Sequence, residues 1–493
     1  MKTIELTARP LKGHKTSANL KIEIDKICEQ WNISPDNVNA VVTDGGGNIK
    51  GAVKEAFGTS KHISCFGHML NLMGTKAIGL YKKNIIPSEM AAGDVPPQLP
   101  EQESDIEDDE EVTVEVEARG RQAAPGAPAN VDSGELLSDL LKKVKKIVTF
   151  FRQSEVATSE LKKNQMDAGK KENEVLKLIQ ECRTRWNSAY EMVERFLKLS
   201  DYVTLTLMKV HREKSTKATP PSMLSNEEIG YLAEVRDLLR PLYQATVEAS
   251  ADKHVTISKV IPLVNLMREK IYEFIPESGI AFNLRTQLLE DIKTNFGTLE
   301  FGKIFSVATL IDPRFKALPF KNKDALKNAT NHLASLMRAK MAAPDFEEPA
   351  EEQPLPPPAT QAEEDDLWSS LDRNVQAHRA ARQSQPAPAV VPPPPNRIPE
   401  ELQRYLDMPN CNRKKFPNPI EYLETIKDKF PYIYEVAREV LPIVATSTPC
   451  ERLFSHAGLI FTQLRNRLHG SKVDELVFLR SVDEEMWFSV QVP

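Results

Sequence analysis

TSTPCERLFSHAG, residues 446–458, predicts a loop that runs directly into a helix. Thr448 is a favourable N-cap residue, and Pro449 suits the first helical position. The apolar residues that follow keep helical spacing as far as Leu468. Glu451 stands three residues after Thr448, as the glutamate of a capping box does, where the carboxylate bonds back to the N-cap amide. By spacing alone, Glu451 is therefore a structural residue.

Acidic residues are concentrated in two segments of the chain. Residues 101–117 carry ten Asp or Glu and residues 343–366 carry nine, and neither segment contains Lys or Arg. Setting these nineteen residues aside changes the formal net charge from −6 to +13. A basic remainder suits a polyanion such as nucleic acid, but a charge of this size is also that of an ordinary solvated surface. Charge alone leaves both interpretations open.

The five cysteines are odd in number and form no Cys-x-x-Cys pair. This pattern indicates a reducing compartment rather than a disulfide scaffold. The sequence also has no N-terminal apolar region and no apolar run of the ~18 residues that a membrane span needs. We therefore expect neither a signal peptide nor a membrane partner.

Hydrophobic periodicity predicts three folded parts separated by two linkers. The first part has short apolar runs at Val38–Thr43 and His62–Cys65, which are typical of buried strands, with helical spacing around them. The second carries wide apolar stripes at helical spacing, and the third returns to helical sequence. Both linkers are rich in Pro and acidic residues, so we expect them to be disordered. The predicted parts are 1–83 (α/β), 84–134 (linker), 135–341 (all-helical), 342–399 (linker) and 400–493 (helical).

Three blocks of sequence then line up in order. They are Val41–Gly45 with Cys65–Leu72, then Cys182–Ser188, then Leu310–Lys316 with Ala445–Ser455 and Arg465–Leu468. Together these blocks resemble the hAT superfamily of DNA transposases, and within it the zinc finger BED domain-containing relatives. The resemblance covers most of the chain outside the two predicted linkers.

The resemblance implies a ribonuclease-H-like fold interrupted by a large helical insertion, so the expected fold class is α/β plus all-α. The superfamily cuts DNA with three carboxylates that hold two divalent metals, Mg²⁺ or Mn²⁺. Asp44 matches the second of these carboxylates and Glu451 the third. Cys65 and His68 match a Cys-x-x-His pair beside the active site. By spacing alone they are a buried cysteine and a histidine at a helix start, because two ligands do not make a zinc site.

The same resemblance implies DNA contacts from the second block. Trp186 matches a tryptophan that contacts DNA near the cleavage site, and Arg183 and Arg185 are suited to phosphate. The alternative for Trp186 is a core aromatic on an amphipathic helix.

One departure from the family pattern bears on catalysis. In the family, the first catalytic Asp lies upstream of an Arg-Pro-Leu-x-Gly segment, which here is residues 9–13, and a BED finger lies further upstream still. Residues 1–20 contain no Asp that could be this first catalytic residue. We therefore expect Asp44 and Glu451 to be vestigial, with no metal cofactor and no catalysis. Residues 3–8 would then be an edge strand or unpaired. The alternatives are an active two-metal nuclease and a truncated, non-functional remnant.

The C-terminal helix pair predicts self-association. Its apolar residues need a partner, either in a second copy, as homodimer or higher oligomer, or within the chain. The expected function is that of a nuclear, transposase-derived regulator of transcription, with DNA as a further partner and no small-molecule substrate. The residues expected to dimerise are Leu453, Phe454, Ala457, Leu476, Phe478 and Leu479.

Overall fold

The computed structural model describes residues 6–7, 11, 13–79, 133–182, 186–213, 219–251, 254–342, 367–383, 399–452 and 470–481. This described part is mostly helical, with one small sheet. It divides into two compact units, of which unit 1 is Met1–Gly74 with Ala233–Pro493 and unit 2 is Thr75–Leu232. The all-helical part predicted at 135–341 is therefore divided between the two units.

The helices are numbered here in chain order. They are α1 (Ser17–Gln30), α2 (Gly47–Phe57), α3 (Phe66–Ala77), α4 (Ser133–Gln153), α5 (Glu155–Asp167), α6 (Trp186–Glu213), α7 (Asn226–Ala249), α8 (Val260–Glu273), α9 (Gly279–Phe296), α10 (Lys303–Ile311), α11 (Lys323–Met341), α12 (Ser369–Gln383), α13 (Glu400–Asp407), α14 (Pro419–Thr425), α15 (Pro431–Val440), α16, described over 448–452, and α17 (Gly470–Ser481). Among the described helices, none is both long and apolar enough to cross a membrane.

The sheet consists of β1 (Val41–Thr43) and β2 (His62–Ser64), which pair in parallel. Two parallel strands need a crossover, and α2 supplies it. Both strands lie where the short β-branched runs predicted them, although each is shorter than its run. Of the edge strand expected at 3–8, only Leu6 and Thr7 are described, and they belong to neither helix nor strand.

Helix α1 is held by close contact with α2. The Thr16 side chain caps α1 by accepting the N–H of Asn19. No residue of α1 is buried, but a Cβ at Gly51 of α2 would lie 2.5 Å from Ser17 Oγ. The glycine therefore lets the two helices approach to a distance that a larger residue would prevent.

Unit 2 contains a non-helical segment where the sequence predicted a helix. The apolar spacing of Val175–Leu199 predicts one helix, but residues 175–182 belong to neither helix nor strand, and α6 is described from Trp186 onward. The fully buried Gln165 side chain bonds both backbone groups of Leu176, accepting its N–H at 3.0 Å and donating to its C=O at 2.9 Å. These bonds satisfy the groups that a helix would have paired internally.

A buried turn at 312–316 ties the C-terminal segment to α10 in unit 1. The Asp312 carboxylate, fully buried, accepts Arg314 Nη2 at 2.7 Å and Ser258 Oγ at 2.6 Å. Lys316 donates through Nζ to the carbonyls of Tyr405 (2.6 Å) and Met408 (2.8 Å), at the C-terminal end of α13. A cation at a helix C-terminus is stabilised by the carbonyl dipoles there.

The linker predicted at 342–399 contains a packed helix, α12, and the expectation of disorder throughout this segment is wrong for 367–383. Leu367, Trp368 and Leu371 are each at most 5% exposed. The composition of this segment predicts disorder because acidic and Pro-rich sequence surrounds these three residues. Three large apolar side chains are nevertheless enough to anchor one helix. Residues 84–132 of the other predicted linker lie outside the described residues.

Candidate functional site

Asp44 lies at the carboxyl end of β1, as the sequence predicted. Its side chain is exposed, and Oδ1 accepts a long bond of 3.4 Å from the Gly46 N–H at the start of α2. The neighbouring Gly45 allows a close approach, because a Cβ there would lie 3.2 Å from His68 Nε2. Asp44 and His68 therefore occupy the same edge of the sheet.

Cys65 joins three chain segments at this edge. It is 2% exposed, and its N–H donates to Thr43 O at 2.7 Å. Its sulfur accepts the N–H of His68 at 3.3 Å, at the start of α3, and the N–H of Ser447 at 3.2 Å. Cys65 and His68 are thus brought together, and the thiol has a structural role in holding two helix starts.

The segment 445–447 runs alongside the start of α3. Phe66 donates its N–H to Ala445 O at 2.9 Å, and a Cβ at Gly67 would lie 3.2 Å from Thr446 Cγ2. On its other side, Ala445 donates its N–H to Thr256 Oγ1 at 3.0 Å. Sequence reasoning missed Thr256, and no local signal pairs it with a residue 189 positions away.

Glu451 lies on α16, which follows directly after Ser447. The helix starts one residue earlier than predicted, because Glu451 N bonds to Ser447 O (3.3 Å) and helical backbone begins at 448. Ser447 therefore takes the N-cap position that the sequence assigned to Thr448, and Glu451 is the fourth helical residue rather than the third. The capping-box register is lost, and Glu451 is exposed.

Arg452, the next residue, anchors α16 to the end of α7. Its Nη2 donates to Ser250 O at 2.7 Å. Two contacts thus hold the beginning of α16 in unit 1, the bond of Ser447 to the Cys65 sulfur and the bond of this arginine to Ser250.

His62 lies on β2 and contacts β1. Its Nε2 lies 2.8 Å from Thr43 Oγ1. Burial lowers the pKa of His62 below its usual 6.5, and the positive charges of Lys50 and Lys54 on α2 lower it further. His62 therefore favours the neutral form in the folded chain.

The resemblance implies two metals at this edge, and hard divalent cations need several oxygen ligands each. Asp44 lies at this edge, and Glu451 lies on α16, which follows the Ser447 that bonds Cys65 there. Within the described ranges, however, no three His, Cys, Asp or Glu side chains are grouped so that they could hold a metal ion. The described residues by themselves do not fit a two-metal centre.

Trp186 lies in unit 2 and is buried there. It is the first residue of α6, is 1% exposed and packs edge to face on Tyr190 with ring centroids 6.5 Å apart. This packing matches the alternative of a core aromatic, and the ring is not accessible to DNA in this conformation. Arg183 and Arg185 lie outside the described residues.

Helix α17 carries the described part of the expected dimerisation residues. Phe478 is half-buried and packs on Trp31, directly after α1, with ring centroids 5.3 Å apart. Asp474 accepts the hydroxyl of Thr7 at 2.8 Å. Leu476 and Leu479 are each 43% exposed. Leu453, Phe454 and Ala457 lie outside the described residues.

Two family models match parts of this chain. Residues 401–482 match the hAT family C-terminal dimerisation region, and residues 101–235 match the ZBED1 RNase-like helical domain. The first match includes α13 to α15 and α17, and the second includes α4 to α6.

Two curated proteins are similar to the chain at low identity. The human "Zinc finger BED domain-containing protein 4" is 22% identical over 351 residues, which is 71% of this chain and 28% of that protein. The "Putative transcriptional regulator tpeD" of Talaromyces stipitatus is 22% identical over 486 residues, which is 96% of this chain and 49% of that protein. The chain thus spans less than half the length of either relative.

Proposed function

We propose that this chain is a non-catalytic, transposase-derived nuclear protein. The premise is that it carries an hAT dimerisation region and is a distant homologue of zinc finger BED domain proteins. It self-associates through its C-terminal region and binds DNA in the regulation of transcription. The name of the fungal relative, a transcriptional regulator, supports the second part of this proposal.

The proposal of self-association rests on the difference between the two faces of α17. One face is used within the chain, since Phe478 packs on Trp31 and Asp474 binds Thr7. Leu476 and Leu479, three residues apart and so on one helix face, stay exposed. Intrachain packing, the alternative for this helix, therefore covers only part of its apolar surface. An exposed apolar face inside a matched dimerisation region is suited to a second copy.

The experiment is light scattering coupled to size exclusion on the double variant Leu476→Asp/Leu479→Asp. We expect the wild type to elute at twice the monomer mass or more at micromolar concentration, and the double variant to shift towards the monomer. Leu205→Asp is the matched control, because Leu205 is a 57% exposed leucine on α6 of unit 2 and should leave the mass unchanged. A wild type that is monomeric at these concentrations, or a double variant that associates like the control, contradicts the proposal.

We propose that the chain does not catalyse DNA cleavage, because its described residues supply too few metal ligands. Asp44 and Glu451 are the vestigial pair, and no third metal ligand joins them within the described residues. We expect no nicking of terminal-inverted-repeat DNA in Mg²⁺ or Mn²⁺ above the level seen with Asp44→Asn. Nicking by the wild type that disappears in Asp44→Asn would reinstate the nuclease.

The fold that we propose for unit 1 includes a ribonuclease-H-like part interrupted by a helical insertion. The pairing of β1 with β2 and the docking of 445–447 against Cys65–Gly67 support it, because they join the first and last predicted parts of the chain at one sheet edge. An experimental structure in which 445–447 lies away from β2 would contradict this arrangement.

A further inference from the structure

Trp368 is the anchor of α12 in unit 1. It is fully buried, and its ring stacks on Phe315 with centroids 5.6 Å apart and planes inclined by 11°. The guanidinium of Arg413 lies 4.9 Å from the centroid of the same ring. Phe315 belongs to the buried turn after α10, and Arg413 to the loop after α13. One tryptophan thus contacts both sides of the junction between the helical core and the C-terminal segment.

Charged groups complete the surface around Trp368. Arg413 pairs with Asp372 of α12 at 3.2 Å, and the Arg413 side chain is 18% exposed. Glu248 of α7 also faces this tryptophan. Burial raises the pKa of Glu248, but Lys259, the indole N–H of Trp368 and Arg413 together hold that pKa below its usual value. The indole contact does not reach full hydrogen-bonding geometry.

The contact is confined to a few residues at one end of α12. Leu367, Trp368, Ser370 and Leu371 are buried, whereas four of the five residues 373–377 are exposed. The described segment is joined to the rest of unit 1 by 24 residues on one side (343–366) and 15 on the other (384–398). Because the free energy of loop closure rises only slowly with loop length, connections of this length let a locally anchored segment act as a tethered peptide ligand.

We propose that the surface formed by Phe315, Arg413 and Glu248 is a peptide-docking site for a short tryptophan motif that carries acidic residues. Residues 367–372, with the sequence LWSSLD, are its intrachain ligand. The motif occupies the surface within its own chain and contacts both the loop after α13 and the turn after α10. The chemistry that selects it is stacking on Phe315, the cation of Arg413 over the indole, and the pairing of Arg413 with the carboxylate at the fourth residue after the tryptophan.

This proposal predicts competition between the tethered motif and the same motif added as a peptide. Covalent attachment gives the motif an effective concentration of the order of millimolar, so the site in the wild-type chain is nearly always filled. Trp368→Ala removes the anchor and frees the site. A fluorescently labelled peptide of residues 363–377 should then bind the full-length Trp368→Ala chain at least about tenfold more tightly than it binds the wild type.

The controls isolate the tryptophan. A peptide with Trp368→Ala should not bind any form of the chain. Gln376→Ala, at an exposed position of α12, is the matched control in the protein and should behave as the wild type. The proposal is overturned if the native peptide binds the folded Trp368→Ala chain no more tightly than it binds the Gln376→Ala chain.

A measurement on the unaltered protein covers the case in which Trp368→Ala does not fold. Hydrogen exchange of the wild-type chain should show amides of 369–377 exchanging at least about 100-fold faster than those of α10, because a docked ligand opens without unfolding its site. If α12 exchanges at the same rate as α10, then α12 is an integral part of the core and the proposal fails.

Discussion

The sulfur of Cys65 accepts N–H groups from two helix starts that are far apart in the sequence. His68 lies in the first turn of α3 and Ser447 precedes α16, and each partly buried N–H would lose this acceptor if the sulfur were removed. At the residue scale, this thiol therefore holds α16, and with it Glu451, against the edge that carries Asp44. Its contribution is that of a hydrogen-bond acceptor as well as of a buried apolar atom.

We predict that Cys65→Ala lowers the free energy of unfolding by about 1–3 kcal/mol, because two partly buried donors lose their acceptor. Cys65→Ser should lose less, since its hydroxyl can accept one of these bonds. Urea titration measures both changes, with the exposed Cys182→Ala as a control expected to stay within about 0.5 kcal/mol. A serine variant as unstable as the alanine variant would show that the acceptor is unimportant.

A second residue-scale prediction concerns pH. The pKa of His62 is lower in the folded chain than its ordinary 6.5, so the unfolded chain binds the proton at a higher pH. The stability contributed by neutral His62 is complete above pH 6.5 and is lost as the pH falls from there towards the folded pKa. His62→Gln should make stability less dependent on pH between 7 and 5.5.

The measurement is urea unfolding at several pH values in that range. His332, whose pKa is also lowered by burial and by Lys303, contributes in the same direction, so His332→Gln should remove a separate part of the slope. An unchanged slope in His62→Gln would contradict the assignment.

At the scale of elements, the turn at 312–316 decides how α10 and α13 meet. It buries two cations and one carboxylate, and each charge has a partner, since Asp312 pairs with Arg314 and Lys316 is held by two carbonyls. Asn410 and Cys411 add backbone bonds to the same turn, with Asn410 Nδ2 donating to Phe315 O at 2.9 Å and Cys411 N to Pro313 O at 2.8 Å. The turn is therefore a connection between elements rather than an isolated loop.

We predict that Asp312→Ala destabilises unit 1 by about 3–5 kcal/mol, because Arg314 is left as a buried cation without its carboxylate. Lys327→Ala, at an exposed position of α11, is the control and should change stability by less than about 0.5 kcal/mol. Thermal and urea unfolding measure both variants. A loss below about 1 kcal/mol would mean that the Pro417 carbonyl, which Arg314 also binds, is a sufficient partner by itself.

At the scale of the whole molecule, charge is separated along the chain rather than balanced locally. The nineteen acidic residues of 101–117 and 343–366 stand apart from a remainder that carries +13. A tethered acidic segment competes with an acidic ligand for the same basic surface. The proposed DNA binding should therefore be weak, poorly specific in sequence and sensitive to salt.

We predict that affinity for duplex DNA falls at least about tenfold when salt rises from 50 to 200 mM. Binding releases cations from the duplex, and this release is less favourable when the salt concentration is high. Replacing 101–117 by a neutral Gly/Ser segment of equal length should raise the affinity at low salt. Fluorescence anisotropy with two unrelated duplexes measures both effects. Affinity that does not change with salt would contradict the electrostatic account, and one that does not change with the replacement would contradict competition by 101–117.

The sequence by itself determined the elements whose information is local. Periodicity located most of the described helices of both units but not α12, the short β-branched runs located β1 and β2, and the position after a strand placed Asp44 at a sheet edge. The ordered blocks also identified the hAT resemblance that the two family matches support. These features depend on residues a few positions apart, where spacing alone carries the signal.

Only the tertiary structure decided the features that depend on distant partners. The Cys65 sulfur meets Ser447 across 382 positions, Trp186 turns inward on α6, and Trp368 docks on Phe315 from within an acidic segment. The Gln165 side chain likewise bonds both backbone groups of Leu176, within a predicted helix of which residues 175–182 are neither helix nor strand. Cys65 and Trp368 meet partners remote in sequence, and local spacing does not reveal which remote residue each will meet.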